Sequence, residues 1–236
     1  MLKKLPKENM GTSNLGWLES RFHFSFAEYR NPNHINFGVL RVLNDDIIHP
    51  NSGFDTHPHA NMEIISYVVN GEITHKDSMG NSETLKRGEV QYLSAGEGIY
   101  HSEHNLNKSE DLRLLQIWIL PPKQSLPRLY GSYKYKSEQR KNKLLNIVSS
   151  HKGDANIKIH QDVNIYVSEL EISKDLTFQI NKNKQVYFVL IEGKIKINDI
   201  YLEFGDALEI VGEKCLKIES LEKSSHFLFI EMNQIM

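Results

Sequence analysis

Only one cysteine, Cys215, stands among the 236 residues. One thiol cannot close an intramolecular disulfide, so the fold must rest on its core, as suits a reducing cytosol. A surplus of charge is also missing: 28 Lys and Arg face 30 Asp and Glu, for a formal net charge of -2. The chain as a whole therefore offers nucleic acid no electrostatic attraction. No apolar run approaches the roughly 20 residues that span a bilayer. The opening stretch MLKKLPKENMGTSNLGWLESRF lacks the apolar centre of a secretory signal. The expectation is a cytoplasmic protein with no membrane partner. Long amphipathic helical patterns are absent from the first half. The remaining composition, 39% hydrophobic and 25% charged, is ordinary for a globular chain. Its length allows one large domain or two of about 100–120 residues.

What the chain does contain is a series of short β-type segments. Residues 37–43 read as a strand, and 62–69 (MEIISYVV) as another that ends at Asn70-Gly71, a hairpin signal. Residues 72–76 return, 78–81 turn, and 90–94 and 112–120 complete the series. This rhythm predicts a β-sandwich or small barrel. Pro121-Pro122 closes it and opens an irregular stretch to about residue 143. That stretch carries Lys134, Lys136, Arg140, Lys141 and Lys143 against Glu138. With no basic surplus elsewhere, it reads as a solvated linker or short surface helix rather than an anion site. Strands resume at 163–170, 176–180, 185–191 and 201–204. VYFVLIEGKIKIND parallels ISYVVNGEITHKDS, and Gly205-Asp206 parallels Gly88-Glu89. The chain reads as a duplicated β-module, divided into residues 1–135 and 136–236.

Two short patterns carry chemistry: His57-Pro58-His59 and His101-Ser102-Glu103. Residues i and i+2 of a strand project from one face, so each pair aims two metal-capable side chains into a common space. Imidazole and carboxylate together suit first-row divalent metals. The second half has no such set. Offsets from Gly71 that reach His57, His59 and Glu63 reach Gln179, Asn181 and Gln185 when counted from Gly193. The offset from Gly88 to His101 reaches Ile218 from Gly205. One metal is expected, in the N-terminal half. Glu63 shares strand parity with the two histidines and is expected to face the same interior. There it could be a fifth ligand, a proton acceptor, or a partner orienting a ligand histidine. His75 and Asp77 are expected at the surface or behind the ligands, and His104 pointing away. Phe22, Phe24 and Phe26 alternate as one strand face, and they and Trp118 read as core.

The stretches GFDTHPHANMEIISYVVNG (53–71) and GEVQYLSAGEGIYHSEHN (88–105) resemble the two cupin motifs. Together with FGVLRVLNDD they resemble the pirin family, including its bacterial quercetinase-like members. The resemblance covers most of residues 20–122 and extends more loosely to the C-terminus. Ser94 stands where cupins often have proline, and two extra residues precede His101; both departures agree with the pirin pattern. The resemblance implies an all-β bicupin of two jelly-roll-like barrels with few short helices. It implies one divalent transition metal, Fe(II) first and Mn, Ni, Cu, Co or Zn as alternatives. The implied ligands are His57, His59, His101 and Glu103, where other cupins use the first-motif glutamate, here Glu63. The implied activity is dioxygen-dependent cleavage of a flavonol such as quercetin, releasing carbon monoxide, with Glu103 or Glu63 accepting the hydroxyl proton. The alternative is a redox-sensitive module that binds a regulatory protein partner without turnover.

Overall fold

The computed structural model describes residues 1–234. Two compact units emerge, residues 11–135 with 159–161, and residues 1–10, 136–158 and 162 onward. The division differs from the sequence reading at the N-terminus. Leu2–Leu5 pairs antiparallel with Ala207–Val211, Leu2 opposite Ile210 and Leu5 opposite Ala207, so the first ten residues complete the second unit.

Each unit is built from two antiparallel sheets. In the first unit a seven-stranded sheet runs in the order Leu129–Tyr133, Val90–Ser94, Glu63–Asn70, Leu112–Ile119, Leu40–Ile48, Leu18–Phe22 and Gly11–Asn14. A four-stranded sheet runs Ser52–His59, Ile99–Asn105, Glu72–Asp77 and Ser82–Lys86. The second unit repeats both orders. Its seven-stranded sheet begins with Leu2–Leu5, Ala207–Val211, Lys184–Glu192, Ser224–Asn233 and Val163–Glu171, and its four-stranded sheet runs Asp175–Gln179, Cys215–Ser220, Lys194–Ile197 and Ile200–Glu203. Among the described residues, helix is confined to the 3-10 turns Lys7–Asn9 and Ser137–Gln139. No helix of those residues is long and apolar enough to cross a membrane.

The hairpin signals have a steric basis. Gly71 has φ +73 and a Cβ there would lie 2.5 Å from the Asp111 carbonyl; Gly193 has φ +88 and would meet the Ser224 carbonyl at 2.5 Å. Only glycine satisfies both demands at either turn. The strands between such turns bury large side chains, each worth about 1.5–3 kcal/mol. Ile64, Ile65, Tyr67, Val68 and Val69 all lie inside the first unit, and Phe188, Phe227 and Phe229 inside the second.

The two interiors differ in chemistry at matching positions. In the first unit, Gln91, Ser66, Gln116 and Asn44 lie directly opposite one another across four adjacent strands. The corresponding row of the second unit is Leu208, Phe188, Phe229 and Tyr166. Register also corrects the offset count. Glu103 pairs with His75 as Ile218 pairs with Ile197. Ile218 therefore stands where Glu103 does, Leu216 where His101 does, and Phe178, opposite Leu216, where His57 does. Three of the five basic residues after the first module are paired: Lys134 with Glu83 at 3.3 Å, buried Arg140 with Glu169 at 3.1 Å and Lys141 with Glu171 at 2.8 Å. The 3-10 turn and these pairs make it a connector, not a free basic patch.

Candidate metal centre

The site grows from two neighbouring strands of the first unit's four-stranded sheet. His57 lies opposite His101 and His59 opposite Ile99. Beyond that pair the register slips, and Glu103 meets Phe54. Such a bulge turns side chains on the longer strand toward a common point. The three imidazole rings face one another with centroids 4.5 Å apart for His57 and His101, and 4.8 Å for each of them to His59. One ring nitrogen from each histidine falls within a span of 4.8 Å. His57 Nδ1 donates to the Asp55 carbonyl at 2.7 Å, which leaves Nε2 with its lone pair for a metal.

Electrostatics prepares the same state. Burial, then the neighbouring His57 and His75, push the His101 pKa down to about 3. Burial, then His101 and His57, push His59 down to about 4. Both rings are neutral at physiological pH, the form that ligates. His101 is 2% exposed, and neither ring nitrogen has a hydrogen-bond partner. Leaving one buried polar atom unsatisfied costs about 1–3 kcal/mol. A cation among the three rings removes that cost, so these residues fit a metal ion.

Glu103 is buried beside His101, and its carboxylate accepts three hydrogen bonds that leave Oε2 one lone pair. Oε2 accepts from Gln116 Nε2 at 2.7 Å, and Oε1 from Ser66 Oγ at 2.9 Å and Gln91 Nε2 at 3.5 Å. It groups with His75 and His101, while His57 and His59 group with His101, so His101 belongs to both sets. Hydrogen bonding separates them. His75 has no exposure; its Nδ1 accepts from Gln91 Nε2 at 3.1 Å, and its Nε2 donates to Asp77 at 3.2 Å. Its ring stacks on Tyr130 with centroids 4.9 Å apart. With both nitrogens committed, His75 stands behind the three facing imidazoles, and its alternative place at the surface is excluded.

Glu63 is not at this centre. The strand Ser52–His59 ends before it, Asn61 takes φ 52, and Glu63 opens a strand of the other sheet. Parity counted through that break does not hold. The Glu63 carboxylate is buried and accepts from Tyr92 Oη at 2.6 Å, the His160 amide at 2.7 Å and the Gln161 amide at 2.9 Å. It belongs to neither metal-capable group. His104 lies 3.2 Å from Asp55, also outside both groups.

Trp118 proves to be more than core. Its half-buried indole meets His59 edge-on at 4.9 Å and Phe26 at 5.4 Å. With Phe26, Ile35, Val42 and Met62 it lines a cavity of about 710 Å³. Phe24 and Phe26 do not share a strand face with Phe22, because the strand stops at Phe22. The residues that sequence reasoning missed are Ser66, Gln91 and Gln116. Their signal was a polar side chain in the middle of an apolar strand, where the second module has Phe188, Leu208 and Phe229.

A two-sheet sandwich occurring twice defines a bicupin, and among the described residues the metal-capable groups lie in its first copy. Residues 5–119 match the Pirin family, and residues 146–232 match the quercetinase C-terminal cupin domain. The chain is 39% identical to quercetin 2,3-dioxygenase of Escherichia coli K12, over 93% of this chain and 94% of that protein. It is 38% identical to a pirin-like protein of Caulobacter vibrioides, over 94% of this chain and 96% of that one. The crystal structure of the bacterial pirin YhhW from Escherichia coli in complex with nickel(II) superposes with TM-score 0.93 at 35% identity, covering 100% of both chains. The chain belongs to the pirin family.

Proposed function

We propose that the protein is a metal-dependent dioxygenase that cleaves flavonols such as quercetin, with His57, His59, His101 and Glu103 holding one divalent transition-metal ion. The observation that carries this reading is His101, buried with both nitrogens unpartnered and faced by two further imidazoles. Relatives named quercetin 2,3-dioxygenase and the nickel-bound neighbour support it. Fe(II) is the first assignment; Mn, Ni, Cu, Co or Zn suit the same nitrogen and oxygen donors. When bound, the ion supplies Lewis acidity and, if redox-active, the means to use dioxygen.

The chain's own residues do the rest. The Asp55 carbonyl orients His57. Glu103 is the carboxylate placed to take the flavonol 3-hydroxyl proton, since it groups with His101, whereas Glu63 belongs to neither metal-capable group. Trp118 and Phe26 wall the cavity beside His59 with aromatic surface, and its volume of about 710 Å³ suits a flat molecule of flavonol size. The test is aerobic flavonol turnover by apo protein reconstituted separately with Fe(II), Mn, Ni, Cu, Co and Zn. Turnover is expected with at least one of these metals and is lost in His57→Ala and Glu103→Ala. A flavonol spectrum left unchanged by every metal-loaded form refutes the dioxygenase reading. Stoichiometric metal without turnover would favour redox-dependent binding of a regulatory protein.

A further inference from the structure

We propose that Ser66, Gln91 and Gln116 are positioning residues that fix the direction and charge of the Glu103 carboxylate as a metal ligand. The inference rests on the reading of Glu103 as a ligand and adds the machinery behind it.

These three side chains sit opposite one another on adjacent strands of the seven-stranded sheet. Ser66 and Gln91 have no exposure and Gln116 has 8%. They deliver three donors to two oxygens. The Gln116 contact, at 2.7 Å, has the short length of a charge-assisted hydrogen bond. Ser66 has a single hydroxyl proton and two acceptors in reach, Glu103 Oε1 at 2.9 Å and Gln116 Oε1 at 3.1 Å; the carboxylate is the stronger. Gln91 Nε2 spans Glu103 and His75. His75 in turn donates to Asp77, which accepts the backbone amides of Met79 and Asn81. The carboxylate is thereby tied to the turn at 77–81.

The second unit supplies an internal control. Leu208, Phe188 and Phe229 occupy the matching register there, and the same strand order forms. Replacing both partners of a buried hydrogen bond by apolar groups is close to neutral for stability. The sheet therefore does not need the polar row in order to fold. The row occurs in the unit where a carboxylate, and not Ile218, faces it.

Donors on a carboxylate draw negative charge from its oxygens. Removing one loosens the direction of the carboxylate, which weakens binding, and returns that charge, which favours the more oxidised metal. The test is the nickel affinity, by chelator competition, and the midpoint potential of the iron-loaded protein, for Gln116→Met, Ser66→Ala and Ser66→Thr. Gln116→Met and Ser66→Ala should weaken nickel binding, Gln116→Met by about 10–100-fold, and lower the iron potential. Ser66→Thr, which keeps the hydroxyl, should restore both. If Glu103→Gln binds nickel as tightly as the unaltered protein, the ligand reading itself falls, and this proposal with it. If Glu103→Gln weakens binding while Gln116→Met and Ser66→Ala leave affinity and potential unchanged, positioning alone is overturned.

Discussion

Glu63→Gln separates a structural carboxylate from a catalytic one. Glu63 Oε1 receives the Tyr92 hydroxyl and the His160 amide, and Oε2 receives the Gln161 amide. A glutamine oriented to keep its oxygen in the first position turns its NH2 toward the Gln161 N–H. One buried donor is then orphaned, at about 1–3 kcal/mol. The two surviving bonds lose the charge assistance that roughly doubles their strength. The sum is about 2–5 kcal/mol, which for a chain of this size lowers Tm by roughly 5–15 °C. Glu63→Ala leaves all three donors unmet and approaches the whole stability of a typical domain. The assay is calorimetric melting of the apo and nickel-loaded forms, with metal stoichiometry and turnover measured below the transition. Glu63→Gln should melt early yet bind one metal and turn over at a near-normal rate per folded molecule. An unchanged Tm accompanied by lost turnover would show that Glu63 takes part in the chemistry, and would refute the placement argued above.

Two further outcomes follow from the site and its surroundings. Trp118→Ala removes the wall shared by His59 and the cavity. It should raise the flavonol KM by about tenfold, the worth of one desolvated aromatic contact of about 1.4 kcal/mol, with nickel affinity intact; an unchanged KM would place the substrate elsewhere. Asp46 is buried, and burial, together with Asp45 and Glu103 and against a hydrogen bond from Ser20, pushes its pKa up to about 7. A carboxyl raised above its unfolded value contributes fully below about pH 4 and loses that contribution as pH rises toward 7, at up to about 1.4 kcal/mol per unit. Asp46→Asn should therefore gain on the unaltered protein between pH 4 and 7 in urea unfolding. Buried His23, pushed down to about 3 chiefly by desolvation, has the opposite slope but is common to both proteins and cancels. A stability difference constant with pH would remove Asp46 from this role.

Much of the architecture was open to a reader of the sequence because it rests on local rules. Asn70-Gly71 marks a hairpin because the backbone there must be left-handed, and His57-Pro58-His59 shares a face because strands alternate. Two misplacements lie where a count was carried across an interruption. Asn61 breaks the count between His59 and Glu63, and the residues before His101 shift the repeat offset so that Ile218 replaces Glu103 and not His101. His75 stays open between the surface and a place behind the ligands in the sequence because nothing in ITHKD announces that Tyr130, some fifty residues later, covers it. Burial of that kind depends on which strands become neighbours, and that information is spread over the whole chain. Leu2–Leu5 shows the same limit: its partner strand lies at the far end.

That last pairing has a consequence for how the protein comes into being. Lys3 reaches Glu209 across a separation of 206 residues. The second unit is thus finished by a segment that must wait for almost the whole polypeptide to emerge before its place exists. Closing so long a loop is a late, slow event. Until it happens the backbone of Ala207–Val211 presents an open edge, the kind of surface on which nascent chains associate with one another. A bulky group joined close to Leu2–Leu5 would burden that final step.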